Sequence, residues 1–498
     1  MIGKLKIKMK KGEFPMSKFM NKILEELEYT VLQEPEINTF TGIEHDSRKI
    51  VEGNIFVALE GDVVDGHSFI DMAIQKGARL VFVSKEVSCQ QGIGYILIKN
   101  LRKHLGVLAS NFYDWPQKKM KILGVTGTNG KTTTTYLLEQ LLGEEKVARF
   151  GTIEYKIGKE VIEAPNTTPE SLDLIKMIKK AHDQGLEYIV MEVSSHALEL
   201  GRVNMLEFDG AIFTNLTLDH LDYHKTMEQY FMAKRKLFLK LRGKGIKIFN
   251  IDDSYGKRLW EEFHGVSYGM NKADVQGKIL AFEGGREEIE LSLFGNKKEC
   301  KIQILGGFNL YNLLGSLALV KELGMSDEDI FSKLGNLKGA PGRFETLDCG
   351  QDYMVIIDYA HTGDALENIL QAVQEIKSGK IITIFGCGGD RDPRKRPIMA
   401  EIAERYSDFV VLTSDNPRTE NPESILEEVK SGFTKENHIC ILERAEAIAE
   451  GIRRANKGDM VLIAGKGHET YQILGRKKYH FDDREFARRE IVFRKQGR

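Results

Sequence analysis

Residues 121–143 read KILGVTGTNGKTTTTYLLEQLLG, and this stretch decides the fold. An apolar run, Lys121–Val125, meets a glycine-rich turn, and a segment with helical spacing follows. Strand, glycine-rich turn and helix together aim backbone N–H groups at an anion and add the positive end of a helix dipole. Gly127, Thr128, Asn129, Gly130, Lys131, Thr132 and Thr133 are therefore expected to bind the phosphates of a nucleotide. Lys131 is expected to reach the β and γ phosphates, and Thr132 to offer its hydroxyl to Mg²⁺. One position departs from the G-x-x-x-x-G-K-[ST] spacing: Val125 stands where its first glycine is expected. Such a turn names a ligand but no reaction, since switch and motor proteins use related loops.

Outward from this turn, apolar strand-like runs alternate with helical stretches. EYIVMEV, GAIFTNL and KIFN follow it, which implies an α/β protein with a mostly parallel sheet. Upstream, NIFVALEG, ARLVFVSKE and IGYILIK read as strands of a smaller α/β unit, opened by a short helix in SKFMNKILEELEYT with Ser17 as cap. Downstream, Val266–Leu305 reads as an antiparallel flap and NLYNLLGSLALVKELG as a helix. From Gly339, the runs YMVIIDYA, KIITIFGC, FVVLTSD and DMVLIAG build a second doubly wound, Rossmann-like unit. The expected organisation is an extension over 1–15, a first α/β domain over 16–116, a central phosphate-loop domain over 117–338 and a C-terminal domain over 339–498.

The chain has 498 residues and a formal net charge of −2, which argues against a protein whose work is to wrap nucleic acid. Cys89, Cys300, Cys349, Cys387 and Cys440 form no CxxC pair, so a reducing compartment is expected rather than a disulfide framework or thiolate zinc site. No apolar run approaches the ~20 residues of a membrane span. The basic start MIGKLKIKMKKGEF leads into no apolar signal segment.

Acidic and imidazole groups fall at the carboxyl ends of the expected central strands, where open α/β sheets bind ligands. Glu192 ends EYIVMEV, and Asp219-His220 follow GAIFTNL. Glu192 offers the oxygen chemistry that Mg²⁺ takes, and His220 a less typical imidazole ligand. His196 and His224 are weaker candidates. Lys234 lies on an expected helix whose apolar face carries Tyr230, Phe231 and Phe238; spacing alone reads it as an ordinary snorkelling lysine. Asp46, Ser47 and Arg48 read equally well as a turn or as a holder of a charged ligand.

In chain order, GTNGKTT, NTTPES, MEVSSHAL, TNLTLDHLDYH, YFMAKRKLF, GFNLYNLLGSLA, GRFE, DYAHT, GDRD, DNPRTENP and GKGHE closely resemble the Mur ligase family, from about Met16 to Gly497. The resemblance implies three domains, which bind a uridine nucleotide substrate, ATP and an incoming amino acid in turn. It implies ATP-dependent joining of a carboxylate to an amine. Ser47, Asn166, Thr167, Thr168, Ser194 and Arg202 would hold the UDP-sugar-peptide. Glu192 and His220 would be Mg²⁺ ligands, and Lys234 would become N6-carboxylysine and join Thr132 at the metal. Lys131, Glu192, His220 and Lys234 would carry the catalysis. Asn309, Asn312, Arg343, Asp358 and His361 would recognise adenosine. Two local departures stand out: Gly363 replaces an expected proline in DYAHTGDAL, and Pro393-Arg394 replaces a pattern in which glycine commonly precedes lysine.

The expected amino acid is meso-2,6-diaminopimelate. It differs from lysine by a distal carboxylate beside the distal amine, so its site needs a cation and planar hydrogen-bonding partners. Arg418 in Asp415-Asn416-Pro417-Arg418 can grip that carboxylate bidentately, with Asn416 assisting and Asp415 balancing charge. The family resemblance adds Arg391 as a second contact, and Gly465 and Glu469 at the distal centre, with Glu469 meeting the distal ammonium. The implied acceptor is UDP-N-acetylmuramoyl-L-alanyl-D-glutamate, activated as an acyl phosphate. ATP is a co-substrate and Mg²⁺ the cofactor. A cytoplasmic monomer with small-molecule substrates, no nucleic acid and no membrane insertion is expected. The competing readings are the same ligation with L-lysine, a folylpolyglutamate synthase, and a nucleotide-regulated binding protein without chemistry.

Overall fold

A computed structural model describes residues 18–61, 64–283 and 285–497. The extension over 1–15 and the Ser17 cap lie outside the described residues. The chain divides into two compact units: residues to Thr128 with Leu142–Lys247, and Asn129–Leu141 with Ile248 onward.

The first unit contains two α/β layers. One sheet has the strand order Thr30–Gln33, Gly94–Leu97, Leu80–Val83, Asn54–Val57, Gly42–Glu44, parallel except for the Thr30–Gln33 edge. Asn54–Val57 and Leu80–Val83 are buried at every position, as strands covered on both faces must be. The second layer centres on Lys121–Thr126, which is flanked in parallel by Tyr188–Glu192 and Phe208–Phe213. Val147–Phe150 continues the parallel order, and the meander Glu154–Ile157 and Glu160–Glu163 closes it antiparallel. The register sets Glu192 opposite Val125, and Phe213 opposite Thr126, so these strands end together beside the glycine-rich turn.

In the second unit, Val266–Gly269 runs parallel to Ile248–Asn250 and to the start of Val275–Glu283. Only Val275–Glu283, Arg286–Leu293 and Asn296–Ile302 form the antiparallel flap, so the expectation for Val266–Leu305 holds from Val275 onward. The helix Gly307–Glu322 lies on this flap. A Cβ at Gly277 would meet Leu314 at 3.0 Å and Leu310 at 3.1 Å, which is why the strand carries no side chain there. The C-terminal sheet has the order Glu345–Leu347, Met354–Asp358, Met460–Ala464, Ile381–Phe385, Phe409–Leu412, His438–Cys440, parallel except at its first strand. Alternate residues feed separate cores on its two faces: Ile356 and Leu462 on one side, Val355, Ile357 and Val461 on the other.

One expectation about an element is corrected and one is extended. The opening helix spans only Lys18–Ile23 in the described residues; the chain turns through Glu26 at φ +65° and Thr30–Gln33 becomes an edge strand. That strand exists through its pairing with Gly94–Leu97, a partner that local periodicity cannot see. KIFN is the end of a longer strand, Leu241–Asn250.

Candidate active site

In the first unit the carboxyl end of Tyr188–Glu192 is the centre of a polar network. Glu192 is buried, and its two carboxylate oxygens accept from Thr152 N at 2.8 Å and Thr152 Oγ1 at 3.1 Å. Thr152 Oγ1 lies 3.1 Å from Thr167 Oγ1. Thr168 Oγ1 donates to Glu192 O at 2.9 Å and accepts from Ser194 N at 3.0 Å. Arg202 Nη1 donates to Thr168 O at 3.2 Å, and its Nε stands 3.7 Å from Glu170. Thus Thr167, Thr168, Ser194, Arg202 and Glu192 are brought together, and Tyr155 OH donates to Asn166 O beside them. Ser194 also caps the following helix through Ala197 N.

The turn Gly127–Thr128 leans on the next loop. Thr128 N donates to Asn215 O at 2.9 Å, and Thr128 Oγ1 accepts from Thr217 N at 3.0 Å. Gly127 has φ +150°, and a Cβ there would stand 1.9 Å from Thr214 Oγ1, so a larger residue would force the turn apart. Lys234 is buried on the helix Met227–Arg235; its Nζ donates to Gly127 O at 2.7 Å and lies 4.5 Å from the Tyr230 ring centre. Burial pushes the Tyr230 phenol up to about 12. His220 is half exposed and sits in the left-handed region at φ +53°, which histidine enters more readily than most non-glycine residues. Its ring meets His196 edge to face at 4.9 Å. Burial lowers the pKa values of both His196 and His224, and His224 Nε2 is 2.9 Å from Ser195 Oγ.

Asp46, Ser47 and Arg48 form a turn. Asp46 accepts from Arg48 N, Nε and Nη2, which holds its carboxyl down at about 2, with the Arg48 side-chain hydrogen bond as the leading cause. Ser47 is buried with its hydroxyl 3.5 Å from the Met72 sulfur.

In the second unit Lys131 and Thr132 open the helix that continues the glycine-rich turn, with Thr132 and Thr133 buried. Gly130 has φ +88°, and a Cβ there would lie 2.1 Å from Asn312 Oδ1. Asn312 Nδ2 donates to Asn309 Oδ1 at 3.2 Å, and Asn309 Nδ2 to Leu305 O at 3.0 Å. The two asparagines, expected beside adenine, are buried, and Asn312 packs against the turn at Gly130. Asp358 accepts from Phe344 N and Ala360 N, both at 2.8 Å; burial raises its pKa against the pull of Arg343. The Arg343 guanidinium lies 4.7 Å from the Tyr359 ring centre, and the His361 ring lies 4.6 Å from it.

The residues expected around the amino acid also converge. Asn416 Nδ2 donates to Glu469 Oε2 at 2.9 Å. Arg418, at φ +53°, directs Nη1 to Gly389 O at 2.7 Å. A Cβ at Gly388 would stand 2.9 Å from Arg418 Nη1 and 4.0 Å from Arg391 Cγ, so both arginines lie over one glycine. Gly465, at φ +116°, leaves room for Asp415 Oδ2, which would be 2.6 Å from a Cβ there. Pro393-Arg394 leads into the helix Lys395–Tyr406, and Asp392 holds the Arg394 guanidinium at 2.8 and 2.7 Å.

Three features of this region are not evident from motif reading. Lys466 is completely buried between Asn416 and Glu469. Arg444 and Asp483 form a fully buried bidentate pair, and Arg444 Nη2 donates to Ala464 O at 3.0 Å. The hairpin Tyr471–Leu474 and Lys477–His480 straps the Asp415–Arg418 loop: Ile473 N donates to Asn416 Oδ1 at 2.9 Å, Arg418 N to Ile473 O at 3.1 Å, and Gln472 Nε2 to Asp415 O at 2.6 Å. For Lys466 the available signal was its place inside the GKGHE segment.

Family models match along most of the chain: "Mur ligase family, catalytic domain" at 39–113, "Mur ligase middle domain" at 125–320 and "Mur ligase, glutamate ligase domain" at 342–467. A protein of Fusobacterium nucleatum named UDP-N-acetylmuramoyl-L-alanyl-D-glutamate--2,6-diaminopimelate ligase is 55% identical over 481 residues, covering 95% of this chain and 98% of that protein. A protein of the same name from Clostridium tetani is 44% identical over 483 residues, covering 95% and 99%. A solved structure of a ligase of that name is 31% identical, with TM-score 0.67, covering 93% of this chain and 98% of its own.

Proposed function

The chain belongs to the Mur ligase family, and from that premise we propose that it ligates meso-2,6-diaminopimelate to UDP-N-acetylmuramoyl-L-alanyl-D-glutamate, converting ATP to ADP and phosphate in peptidoglycan synthesis. The glutamyl γ-carboxylate attacks the γ-phosphorus of ATP, and the bond to ADP breaks. The resulting acyl phosphate is attacked by the L-centre amine, an amide forms, a proton is released and phosphate leaves. Acyl phosphate formation replaces a poor leaving group, oxide, with a good one.

The observation that carries the choice of amino acid is the 2.9 Å bond from Asn416 to Glu469. It joins the Asp415–Arg418 loop to the Lys466–Glu469 turn, and so sets a carboxylate beside the loop that carries Arg418. A distal ammonium and a distal carboxylate on one carbon call for that pair of charges.

The glycine-rich turn would bind the ATP phosphates through Gly127–Thr133, with Lys131 balancing their charge. Arg343, Asp358, His361, Asn309 and Asn312 would serve the adenosine. Ser47, Asn166, Thr167, Thr168, Ser194 and Arg202 would hold the UDP-linked acceptor. The donor set fits Mg²⁺: Glu192 accepts two hydrogen bonds and keeps further lone pairs, and His220 is half exposed. A hard ion that keeps several waters needs few protein ligands beside phosphate oxygens. Bound there, it would offset the charge that develops on the transferred phosphoryl group. Lys234 would join these ligands as N6-carboxylysine, exchanging an ammonium for a carboxylate, and Thr132 would contribute its hydroxyl. Among the described residues no helix is long and apolar enough to cross a membrane. We place the enzyme in the cytoplasm, where ATP is available, as a monomer.

The test is an assay with ATP, Mg²⁺, the UDP-linked dipeptide and meso-diaminopimelate. One ADP and one UDP-linked tripeptide per turnover are expected. A higher kcat/KM with L-lysine would reassign the amino acid, and no ADP with every substrate present would leave a nucleotide-regulated binding protein.

A further inference from the structure

Lys466 has no place in the chemistry above, yet its ammonium is entirely buried in the C-terminal sheet's ligand loops. A buried charge is costly unless it is paired and hydrogen-bonded. Its Nζ donates to Glu469 Oε2 at 3.1 Å and to Asn416 Oδ1 at 3.2 Å, and lies 5.7 Å from the Tyr471 ring centre. The pair with Glu469 accounts for the charge. The bond to Asn416 does something more specific.

An amide side chain has an acceptor end and a donor end of nearly equal shape, and its neighbours decide which way it faces. Asn416 has neighbours that leave no choice. Lys466 Nζ and Ile473 N can only donate, so the atom they meet is Oδ1. The Glu469 carboxylate accepts, so the atom it meets is Nδ2. Both Oδ1 lone pairs are then engaged, one N–H is given to Glu469, and one N–H remains for a ligand. A flipped amide would set its carbonyl against the Glu469 carboxylate and its NH₂ against an ammonium.

We propose that Lys466 is a positioning residue for amino-acid selectivity: by occupying Asn416 Oδ1 it keeps an N–H donor turned toward the substrate, which favours an amino acid with a distal carboxylate over one with a bare terminal amine. This rests on the ligase reading above. Lysine and meso-diaminopimelate share the distal ammonium, so their ratio isolates the carboxylate. In Lys466→Met, which keeps the length and removes the donors, Oδ1 keeps only the bond from Ile473 N, and the hold on the amide's orientation weakens.

The test compares kcat/KM for meso-diaminopimelate and for L-lysine in wild type, Lys466→Met, Asn416→Ala and the double variant, with the full chain and all co-substrates. Lys466→Met is expected to lower the diaminopimelate-to-lysine ratio about tenfold or more, chiefly through the KM for diaminopimelate, with the KM for ATP unchanged; loss of one directed hydrogen bond is of that order. Because Lys466 acts through Asn416, the double variant should lose little beyond Asn416→Ala alone. An unchanged ratio, or fully additive losses, overturns the proposal. Should Lys466→Met not fold, a crystal complex of the unaltered enzyme with meso-diaminopimelate decides: Nδ2 of Asn416 on the distal carboxylate supports it, while Oδ1 facing the ligand, or Lys466 Nζ itself on the carboxylate, overturns it. A wild type that forms no UDP-linked tripeptide defeats the ligase reading; an active wild type whose ratio Lys466→Met leaves intact defeats only this role.

Discussion

Lys234 Nζ donates to Gly127 O at 2.7 Å, so a buried side chain of the helix Met227–Arg235 is anchored on the backbone of the glycine-rich turn. Whatever charge Lys234 carries is therefore felt where the transferred phosphoryl group would lie. Lys234→Ala should lower kcat roughly 10²-fold, the scale of losing a group that orients a metal site. If the working form is N6-carboxylysine, formate or acetate should restore part of the rate by supplying the missing carboxylate. Steady-state kinetics with and without these anions checks this; no recovery at any concentration counts against carboxylation.

Arg418 is held ready by Gly389 O and by its own backbone bonds to the hairpin, N to Ile473 O at 3.1 Å and O from Gly475 N at 2.7 Å. Arg418→Ala should raise the KM for meso-diaminopimelate by roughly 10- to 150-fold, the equivalent of one charge-assisted interaction. The KM for ATP should stay within about twofold, on the rule that distant sites act independently. Equal KM values for the amino acid in wild type and variant would remove Arg418 from the site.

Gly363 opens the helix Gly363–Ile376, with Thr362 as its cap at φ −125°, ψ +159°. The first helical position needs no N–H, and the preceding residue already has the extended conformation that proline demands. Gly363→Pro should raise stability by about 0.4–1 kcal/mol by restricting the unfolded chain. Urea denaturation checks this, and a lower midpoint would mean that the ring collides with Ile402, whose Cδ1 is 3.3 Å from a Cβ there.

His468 is held neutral. Burial, reinforced by the Arg343, Arg484 and Lys466 charges, lowers its pKa to about 4 from an ordinary 6.5. Between those values the unfolded chain takes up a proton that the folded chain refuses, so stability rises with pH across this window and is lost as pH falls through it. The contribution is on the order of 3 kcal/mol. His468→Gln should flatten the fall in urea midpoint from pH 6.5 to 4.5, and identical slopes for both proteins would rule the imidazole out.

The parts of the site legible in the amino-acid order are those in which a local pattern is the function. The turn around Gly127 and Gly130 needs glycine for close approach, and the geometry gives the reason at each: Thr214 Oγ1 and Asn312 Oδ1 stand where a Cβ would be. The place of Glu192 at a strand's carboxyl end is legible because the apolar run before it marks the strand. Less is legible where a residue's partner is remote in sequence. The hydrogen bond of Asn416 to Glu469 joins two segments that are far apart in the chain. Thr30–Gln33 is a strand only because Gly94–Leu97 offers it an edge.

By itself, the order of apolar runs, glycine turns and charged motifs determined an α/β chain, its glycine-rich turn between strand and helix, and the ligase family. Those properties follow from local backbone geometry and from residue chemistry, which are written at adjacent positions. Only the tertiary structure decided that Lys466 and Ile473 lock the amide of Asn416, and that Arg444 is neutralised by Asp483 beneath the same loops. Hydrogen bonds and buried charge pairs are set by distance in space, and the chain separating Asn416 from Lys466 leaves no periodicity from which that distance can be read.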